Sequence, residues 1–435
     1  MLQHAIALAK PENPAVTATD PSSRDVRMRG FQQRSSFAAA LAWLDAWLDG
    51  SATRHAGQTP QLVDLAQCVG RILATDVVSS YDVPQFAKAM MDGYAVQAAA
   101  VAGAAAAAPR VLEEIGVCLP GSGFDGAVAG QSAVRIMTGA PLPPGADAVL
   151  PVEQTRREEG RLLAVASVAA GKHVGRVGED IVAGETVLRR GRRLRPQDAG
   201  LLSSLGVADI PVVPAPQVAI CVTGDELLPM GAPPRGYRFA DSNGPMLRGL
   251  VERDGGRVVL QCQARDDREA LRAVMHTGAD VLLVTGGSSV GQEDHAPVVL
   301  AEEGELAIHG IEMRPGRPTG LGCLRETLVV LLPGNPISCL CGYDFFAGRA
   351  IRRLGGRPLA WPYRAVAGTM ARDLPSQPGR VEYARVALDG VRVEPLAISG
   401  SSLLSTATRA DGFLVVPAER AGLAAGEEVE VWLYD

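Results

Sequence analysis

Histidine and aromatic residues are scarce in this chain of 435 residues. It has six histidines, and Phe, Trp and Tyr together make up 4% of the sequence. No Ser/His/Asp, Cys/His or H-E-x-x-H arrangement is visible, which disfavours nucleophilic acyl transfer and zinc-dependent hydrolysis. Basic blocks interleaved with aromatic residues are also missing, and the formal net charge is -6. Nucleic acid is therefore not an expected partner.

Cysteine and long apolar runs are also limited. The seven cysteines are scattered, with no C-x-x-C pair and no disulfide-framework spacing, so we expect reduced thiols. No segment reaches the roughly 18 consecutive apolar residues of a membrane-spanning helix, and the first 34 residues lack a basic start followed by an apolar core. We therefore expect a cytoplasmic protein with no membrane partner.

The chain is long enough for about three or four domains. Residues 1–34 are polar and contain three prolines, which predicts a flexible tail. Ser36 then precedes apolar residues at helical spacing (Phe37, Leu41, Leu44 and Leu48), which predicts a capped, packed helix. Residues 80–170 alternate short apolar runs with Gly and Pro, which predicts a small β domain. Its alanine-rich stretch, residues 98–108, resembles a surface insertion.

From Pro216 onwards, predicted strands alternate with predicted helices. The strands are 218–222, 257–263, 281–284 and 327–332, with helices between them and another helix from Asn335 to Arg352. This order predicts a doubly wound, mostly parallel α/β sheet, whose ligands lie beyond the carboxyl ends of the strands. Residues from about 360 to 435 return to short strands, which predicts a final small β domain.

The stretch from Asp280 to Asp294 is the strongest candidate site. Four of its first six residues are apolar, as in a buried strand, and a glycine-rich turn follows. Such glycines let backbone N–H groups approach a phosphate, and Ser288 and Ser289 offer hydroxyls. Asp294 is unexpected here, because a carboxylate beside a phosphate needs positive charge between them, usually a divalent cation.

Carboxylates recur just past the predicted strand ends. We call this group the acidic mouth: Asp225, Glu226, Asp241, Asp266, Asp267 and Asp294. One or two hard cations such as Mg2+ would reconcile it with a phosphate loop, whereas helix capping and surface ion pairs are the ordinary alternatives. Arg314 and Arg317 are held by prolines on one loop and suit a tetrahedral oxyanion.

Seven motifs in order carry a resemblance to a known family. They are Met91–Val96 (MDGYAV), Arg135–Pro141 (RIMTGAP), Gly178–Ile181 (GEDI), Thr223–Leu227 (TGDEL), Asp241–Asn243 (DSN), Thr285–Asp294 (TGGSSVGQED) and Leu332–Pro336 (LPGNP). Several of them, taken alone, are explained equally well as turns. The ordered set resembles the molybdopterin molybdenumtransferase (MoeA) family, related to the gephyrin E domain, from about residue 36 to the C-terminus.

The resemblance implies an elongated four-domain subunit that forms a homodimer. Its implied activity is a metal-dependent transferase reaction that inserts molybdate into adenylylated molybdopterin and releases AMP. A molybdopterin adenylyltransferase and molybdoenzyme-maturation proteins are possible partners. A paralogue that binds or stores molybdopterin or its cofactor for another enzyme is the alternative. An adenylyltransferase is a third reading, but it leaves the flanking domains without a task.

The resemblance also assigns residues to roles. Thr285, Gly286, Gly287, Ser289, Gly291, Asp294 and Asn335 would hold the pterin-phosphate end, and Asp225, Glu226 and Asp267 would serve the metal and the molybdate. Asp92, Thr138 and Asp180 would reach in from the partner subunit. Arg385 and Ser401 of the last domain would contribute an oxyanion contact beside Arg314 and Arg317.

The implied domain boundaries follow the motifs. A linking and dimerisation domain takes residues 35–79 and 171–213, the small β domain 80–170, the molybdopterin-binding α/β domain 214–358, and the C-terminal β domain 359–435. The chain departs from the family pattern at a few positions. Ala87, Ala89 and an inserted Met90 precede the first motif, Arg314 and Arg317 replace two lysines, and Asp411 replaces an asparagine.

Overall fold

The computed structural model describes residues 34–55, 59–289, 294–397 and 400–434. The predicted flexible tail lies outside these residues except for Arg34, and so does Gly291 of the predicted phosphate loop. The chain divides into two compact units, one formed by residues 1–61 and 212–435 and the other by residues 62–211. No helix among the described residues is long and apolar enough to cross a membrane.

A six-stranded sheet is the centre of the first unit. Its order is Arg257–Ala264, Gln217–Thr223, Val281–Thr285, Thr327–Leu332, Gly320–Leu324 and Glu305–His309. The first four strands are parallel, Gly320–Leu324 runs antiparallel to them, and Glu305–His309 pairs antiparallel with Gly320–Leu324. The predicted multidomain α/β plus β fold with a doubly wound, mostly parallel sheet is confirmed. The strands predicted from the sequence do not include the last two, Gly320–Leu324 and Glu305–His309.

Helices cover both faces of this sheet because its strands alternate their apolar side chains. One face packs the helices Phe37–His55, Asn243–Arg253, Pro336–Gly342 and Gly348–Leu354, the last two joined by a π-helical segment, Tyr343–Ala347. The other face packs Arg268–Met275 and Ala296–Glu303. The hydroxyl of Ser36 accepts a hydrogen bond from the N–H of Ala39, so the predicted helix cap is present.

The C-terminal residues form a closed barrel. Its strands follow the order Val381–Asp389, Arg392–Ala397, Arg364–Met370, Glu428–Leu433 and Gly412–Val416, and the last pairs again with the first. Met313–Arg314 adds to it from the central part of the chain. The unit also contains the strand pairs Leu374–Pro375 with Gly422–Leu423 and Leu227–Leu228 with Phe239–Ala240, and the short helix Ser405–Thr408.

The second unit contains another six-stranded sheet and a ribbon. The sheet order is Ala148–Pro151, Gly93–Val96, Ser132–Ile136, Ala105–Cys118, Arg161–Ala166 and Thr155–Glu158. The ribbon pairs Val77–Val78 with Thr186–Leu188 and Lys88–Ala89 with Val174–Gly175. The helix Pro196–Ser204, the 3-10 segments Leu65–Gln67, Ala98–Val101 and Val152–Gln154, and the strand pair Gln61–Asp64 with Asp209–Val212 complete it.

The alanine-rich stretch 98–108 lies mostly at the surface, as predicted, and it has regular structure. It forms the 3-10 segment Ala98–Val101 and the start of the strand Ala105–Cys118. Val101 is fully buried and Ala104 nearly so, within the core of the small β domain. Ala99, Ala102 and residues 105–108 are exposed, so Val101 and Ala104 anchor a stretch that otherwise lies at the surface.

Candidate functional site

The central sheet reverses its strand order between Gln217–Thr223 and Val281–Thr285. Helices leave these two neighbouring parallel strands towards opposite faces, which opens a crevice at their carboxyl ends. Val222 lies opposite Thr285 at the last paired position. We call the region formed by Thr223–Glu226 and Thr285–Ser289 the switch-point crevice. It contains two of the sequence motifs.

Gly286 brings the two sides of the crevice into contact. Its φ is +89°, a conformation that favours glycine, and a Cβ there would collide with the carbonyl oxygen of Thr223. The Cβ position of Gly287 lies 3.0 Å from Thr223 Oγ1 and 3.4 Å from Asp266 Oδ1. The glycine pair therefore lets the predicted phosphate loop fold directly against the acidic mouth.

Asn243 fixes the loops around this crevice. Its Nδ2 donates to Thr285 Oγ1 at 3.0 Å and to the carbonyl oxygen of Gly334 at 2.8 Å. The Thr285 hydroxyl in turn donates to the carbonyl oxygen of Pro333 at 3.2 Å. Thr285 is fully buried, so its hydroxyl ties two loops together. Sequence reasoning did not assign Asn243 to the site, although the Asp241–Asn243 motif contained the signal.

Three buried polar atoms around the crevice have no hydrogen-bond partner among the described residues. They are Thr223 Oγ1, Asn243 Oδ1 and Asp266 Oδ1. An unpartnered buried polar atom costs about 1–3 kcal/mol, and native structures contain few of them. Their proximity to a glycine-rich strand end indicates a place where a ligand, an ion or water supplies the missing contacts.

The carboxylates of the acidic mouth differ in exposure and partners. Asp225 and Glu226 are exposed, and Arg265 Nε lies 4.0 Å from Asp225 Oδ1 as a weak surface pair. Burial raises the pKa of Asp266, the nearby Thr223 side chain and the N–H of Asp225 oppose the rise, and the neighbouring carboxylate of Glu226 adds to it. Asp267 Oδ1 accepts from the N–H of Ala270 at 2.8 Å and caps the helix Arg268–Met275. Asp267 therefore has a structural task beside its predicted one.

The donor set suits Mg2+ only in part. In the described ranges, no group of three or more His, Cys, Asp or Glu side chains is arranged to hold a metal ion. Mg2+, however, is commonly bound by one or two carboxylates together with substrate phosphates and water. The unpartnered Oδ1 of Asp266, beside Asp225 and Glu226, fits that kind of partial coordination.

Asp294 and Asp241 lie at the edges of the described loops. Asp241 Oδ1 accepts from the N–H of Gly244 at 2.9 Å, at the start of the helix Asn243–Arg253. Asp294 is partly buried and lies near His309, whose ring Nε2 is 3.0 Å from the carbonyl oxygen of Ser288. Burial lowers the pKa of His309. The His309 ring therefore contacts the backbone of the predicted phosphate loop itself, at Ser288.

Asn335 and Ser401, both predicted site residues, are in direct contact. Asn335 Nδ2 donates to Ser401 Oγ at 3.1 Å, and the N–H of Ile337 donates to the carbonyl oxygen of Ser401 at 2.9 Å. Asn335 is exposed at the start of the helix Pro336–Gly342. The C-terminal part of the chain therefore reaches the end of the central sheet at this point.

The predicted oxyanion loop has one unpartnered guanidinium nitrogen. Both Arg314 and Arg317 are partly buried, and Arg317 Nε is buried without a hydrogen-bond partner in the described part of the chain. The carbonyl oxygen of Arg317 accepts from Ile311, and Thr319 closes the turn by donating to Gly316 at 2.7 Å. The loop is rigid and presents a cation whose contacts are incomplete.

Arg385 differs from the other predicted contacts. It lies in the strand Val381–Asp389, and its side chain is fully buried. Asp411, the family departure in the same barrel, accepts from the N–H of Leu388 at 2.7 Å through Oδ2. A carboxylate at position 411 therefore has a structural partner. Arg385 has no solvent-facing surface in this arrangement.

The other predicted residues belong to the second unit. Thr138 donates to Asp92 Oδ1 twice, through its N–H and its hydroxyl, each at 2.7 Å. These bonds lower the pKa of Asp92, so the carboxylate is held ionised and oriented. Asp180 is exposed in the turn after Gly178, where its N–H donates to the carbonyl oxygen of Val83. Two of these three predicted residues, Asp92 and Thr138, are therefore in direct contact.

The departures before the first motif fall on the ribbon. Ala89 is buried and pairs with Val174, Ala87 is partly buried, and Met90 is 56% exposed. An exposed thioether at position 90 adds apolar surface to this segment.

Three family models match the chain. Residues 36–206 match "MoeA N-terminal region (domain I and II)", residues 219–353 match "Probable molybdopterin binding domain", and residues 367–434 match "MoeA C-terminal region (domain IV)". The two long matches contain the residue pair Asp92–Thr138 and the switch-point crevice, respectively.

Relatives of known name cover most of the chain. A Mycobacterium tuberculosis protein named molybdopterin molybdenumtransferase 2 is 34% identical over 389 residues, 86% of this chain and 95% of that protein. A Staphylococcus aureus protein named molybdopterin molybdenumtransferase is 30% identical over 382 residues, 85% of this chain and 90% of that protein. Two crystal structures of a molybdopterin biosynthesis MoeA protein from Pyrococcus horikoshii superpose with TM-scores of 0.77 and 0.74. Their sequence identities are 31% and 29%, and they cover 93% and 92% of this chain and 100% of their own.

Proposed function

Since this chain belongs to the molybdopterin molybdenumtransferase (MoeA) family, a transferase family of molybdenum cofactor biosynthesis, we propose that it inserts molybdate into adenylylated molybdopterin and releases AMP. The observation that carries the proposal is the switch-point crevice. There, a glycine-rich loop suited to phosphate lies against the partly buried carboxylate of Asp266, and three buried polar atoms lack partners among the described residues.

The phosphate-binding half of the site comes from the central sheet. Gly287 and Ser289 offer backbone N–H groups and a hydroxyl just after the strand Val281–Thr285, whereas the N–H of Gly286 donates to the carbonyl oxygen of Leu332. Asn335 with Ser401 closes the neighbouring loop. Asn243 holds these loops together through its hydrogen bonds to Thr285 and Gly334. The pterin-phosphate end of the substrate would lie along these groups, because they supply donors rather than charge.

The metal-binding half is the acidic mouth. Asp225, Glu226 and Asp266 would hold Mg2+ together with the substrate phosphates, and the bound cation would neutralise charge on the pyrophosphate link that breaks. Asp267 borders this group and caps its helix. Arg314 and Arg317 would face the molybdate oxyanion, which the unpartnered Arg317 Nε supports.

We further propose that the chain acts as a homodimer in which Asp92, Thr138 and Asp180 serve the partner's crevice. Apolar side chains that are about half exposed along the ribbon and its connecting loops support a protein-covered surface there: Val78, Tyr81, Phe86, Met90, Val177 and Val182. A molybdopterin adenylyltransferase would supply the substrate, and molybdoenzyme-maturation proteins would receive the product. The seven free thiols agree with a reducing compartment such as the cytoplasm.

The direct test supplies the purified chain with adenylylated molybdopterin, molybdate and Mg2+. We expect stoichiometric AMP release and cofactor that reconstitutes a molybdoenzyme. Asp225→Ala should reduce AMP release at least about 100-fold with little loss of stability, because an exposed carboxylate at a strand end contributes charge rather than packing. Asp389→Ala, an exposed carboxylate at the end of a barrel strand, is the matched control and should leave AMP release unchanged.

The outcomes separate the alternatives. Tight binding of the pterin without AMP release would replace the transferase by a storage or scaffold role. Wild-type AMP release from Asp225→Ala would remove that carboxylate from the metal site while leaving the transferase in place.

A further inference from the structure

Two cysteines lie side by side in the central sheet. Gln217–Thr223 and Arg257–Ala264 are neighbouring parallel strands, and Cys221 is the register partner of Cys262. Both side chains point to the same face, where they join the cluster that contains Leu271 and Met275. Neighbouring strands lie about 4.8 Å apart, within the Cα spacing of roughly 4.4–6.8 Å that disulfides span.

The two thiols differ in access. Arg257–Ala264 is an edge strand of the sheet, and Cys262 is partly exposed on it, whereas Cys221 on the inner strand is fully buried. A solvent-borne oxidant therefore meets Cys262 first. The S–H of Cys221 lowers the pKa of Cys262 to about 7, while contact with Cys262 and burial raise the pKa of Cys221. An accessible thiol beside a buried one is the arrangement of a reacting and a resolving cysteine.

We propose that Cys262 and Cys221 form a reversible, peroxide-sensitive dithiol in which Cys262 reacts and Cys221 resolves. The Cys262 thiolate attacks one oxygen of a hydroperoxide, the O–O bond breaks, and the leaving oxygen departs as water or alcohol after taking a proton. Cys262 is then a sulfenic acid. Cys221 attacks its sulfur, the S–S bond forms, and the S–O bond breaks to release water. The two thiols lose two electrons in total, and the peroxide gains them.

The Cys221–Cys262 disulfide would change the geometry of the neighbouring switch-point crevice. The Cβ atoms of a disulfide lie about 3.8 Å apart, closer than parallel strand neighbours normally hold them, so oxidation draws the two strands together. Cys221 precedes Thr223 by two residues, and Cys262 precedes Asp266 by four. Oxidation should therefore displace the acidic mouth, and reduction by a dithiol should restore it. This effect on turnover depends on the proposed function, whereas the thiol chemistry does not.

Peptide mapping tests the chemistry without any activity assay. The native full-length chain is treated with hydrogen peroxide, alkylated, digested and analysed by mass spectrometry. We expect a Cys221–Cys262 linked peptide that disappears after treatment with a dithiol. Wild-type protein should also accumulate at least about tenfold less Cys262 sulfinic acid than Cys221→Ala, because removing the resolving thiol exposes the sulfenic acid to further oxidation.

Cys323→Ser is the matched control. Cys323 is also partly exposed in the central sheet, but its strand partners are Glu305 and Leu328 rather than a cysteine. This variant should form the Cys221–Cys262 link at the wild-type rate, and Cys262→Ser should leave Cys221 as a thiol. Sulfinic acid at Cys262 of the wild type without a linked peptide would overturn the proposal, and so would a link that forms only after unfolding.

A second readout separates this proposal from the proposed function. If the linked peptide forms and AMP release falls reversibly, both stand. If the link forms in a chain that never releases AMP, the dithiol stands and the transferase fails. If AMP release is normal and no link forms, the transferase stands and the dithiol fails.

Discussion

Two groups of carboxylates with buried oxygens in the same compact unit differ in how completely those oxygens are hydrogen-bonded. Behind the helical segment 336–354, Asp254 accepts from Arg352, Arg253 and Tyr343. Asp344 accepts from Arg253, Tyr363 and Tyr383. Every oxygen of these two carboxylates has a donor. At the switch-point crevice, by contrast, the buried Oδ1 of Asp266 has none among the described residues.

The difference separates structural from functional polar groups. The carboxylate oxygens of this network are all hydrogen-bonded, although Nε of Arg253 and Nε of Arg352 have no partner among the described residues. The network stabilises one packing arrangement and links the central sheet to the C-terminal barrel through Tyr363 and Tyr383. A carboxylate with a buried oxygen that lacks a donor lowers stability, and such a group is retained where a ligand supplies the missing contact. The two groups should therefore respond in opposite ways to the same Asp→Asn substitution.

The largest effect is expected for Asp344→Asn. Burial raises the pKa of Asp344 as it does that of Asp266, but both oxygens of Asp344 accept hydrogen bonds from Arg253, Tyr363 and Tyr383. An amide replaces one acceptor oxygen with an NH2 group and leaves buried donors without an acceptor, so the free energy of unfolding should fall by about 3 kcal/mol. Urea unfolding of both proteins measures the loss, with Asp389→Asn as an exposed control that should change little. Stability within about 1 kcal/mol of the wild type would show that this network is dispensable.

Asp266→Asn should show the reverse pattern. Burial already disfavours the ionised form of Asp266, so an amide removes a charge that the folded state holds at a cost. The free energy of unfolding should stay equal or rise, while AMP release should fall about 10–100-fold because the cation loses a ligand. Parallel unfolding and turnover measurements decide the point. Lost stability together with normal turnover would place Asp266 with the structural carboxylates.

Asn243→Ala should affect both properties to an intermediate degree. It removes two hydrogen bonds, to Thr285 and Gly334, and should lower the free energy of unfolding by about 1–3 kcal/mol. The loosened loops should also raise the KM for the pterin substrate. Asn243→Asp is the informative companion, because it keeps the shape but places a carboxylate oxygen against the Gly334 carbonyl. Rescue of KM by this variant would contradict a role based on donation.

The sequence pattern was sufficient to predict the four parallel strands of the central sheet, but it was insufficient to predict the two strands that extend the sheet. Val281–Thr285 and Thr327–Leu332 are continuous apolar runs, which buried parallel strands require. Glu305–His309 and Gly320–Leu324 lack such runs, because one is partly exposed at the sheet edge and the other is built around glycines. Their pairing depends on the neighbouring strand rather than on their own composition.

The site was predictable as a set of loops but not as a set of contacts. The glycine motif and the strand-end carboxylates identified the crevice, whereas Asn243 reaches residues 42 and 91 positions away in the sequence. Asp267 illustrates the other limit, since an aspartate before a helix reads equally as a cap or as a metal ligand. Only the three-dimensional hydrogen bonds distinguish such roles.

The smallest effect is expected at Asp198, a well-partnered carboxylate of the second unit. Arg192 donates to it through Nε at 2.9 Å and Nη2 at 2.8 Å, and the N–H of Arg195 donates at 2.9 Å. The hydrogen bonds from the Arg192 side chain make the largest contribution to lowering the pKa of Asp198, to about 2. A lowered folded-state pKa stabilises the protein above the ordinary value of 3.8, and this contribution is lost as the pH falls towards about 2.

Asp198→Asn should therefore lower the free energy of unfolding by about 1–2 kcal/mol at pH 7, and the difference from the wild type should shrink below pH 4. Urea unfolding at a series of pH values measures it, with the exposed Asp209→Asn as the control. A difference that persists unchanged to the lowest pH would mean that Asp198 acts through packing rather than charge. If so, hydrogen-bonded carboxylates would not form one class in this protein, and the contrast with Asp266 would hold only within the first unit.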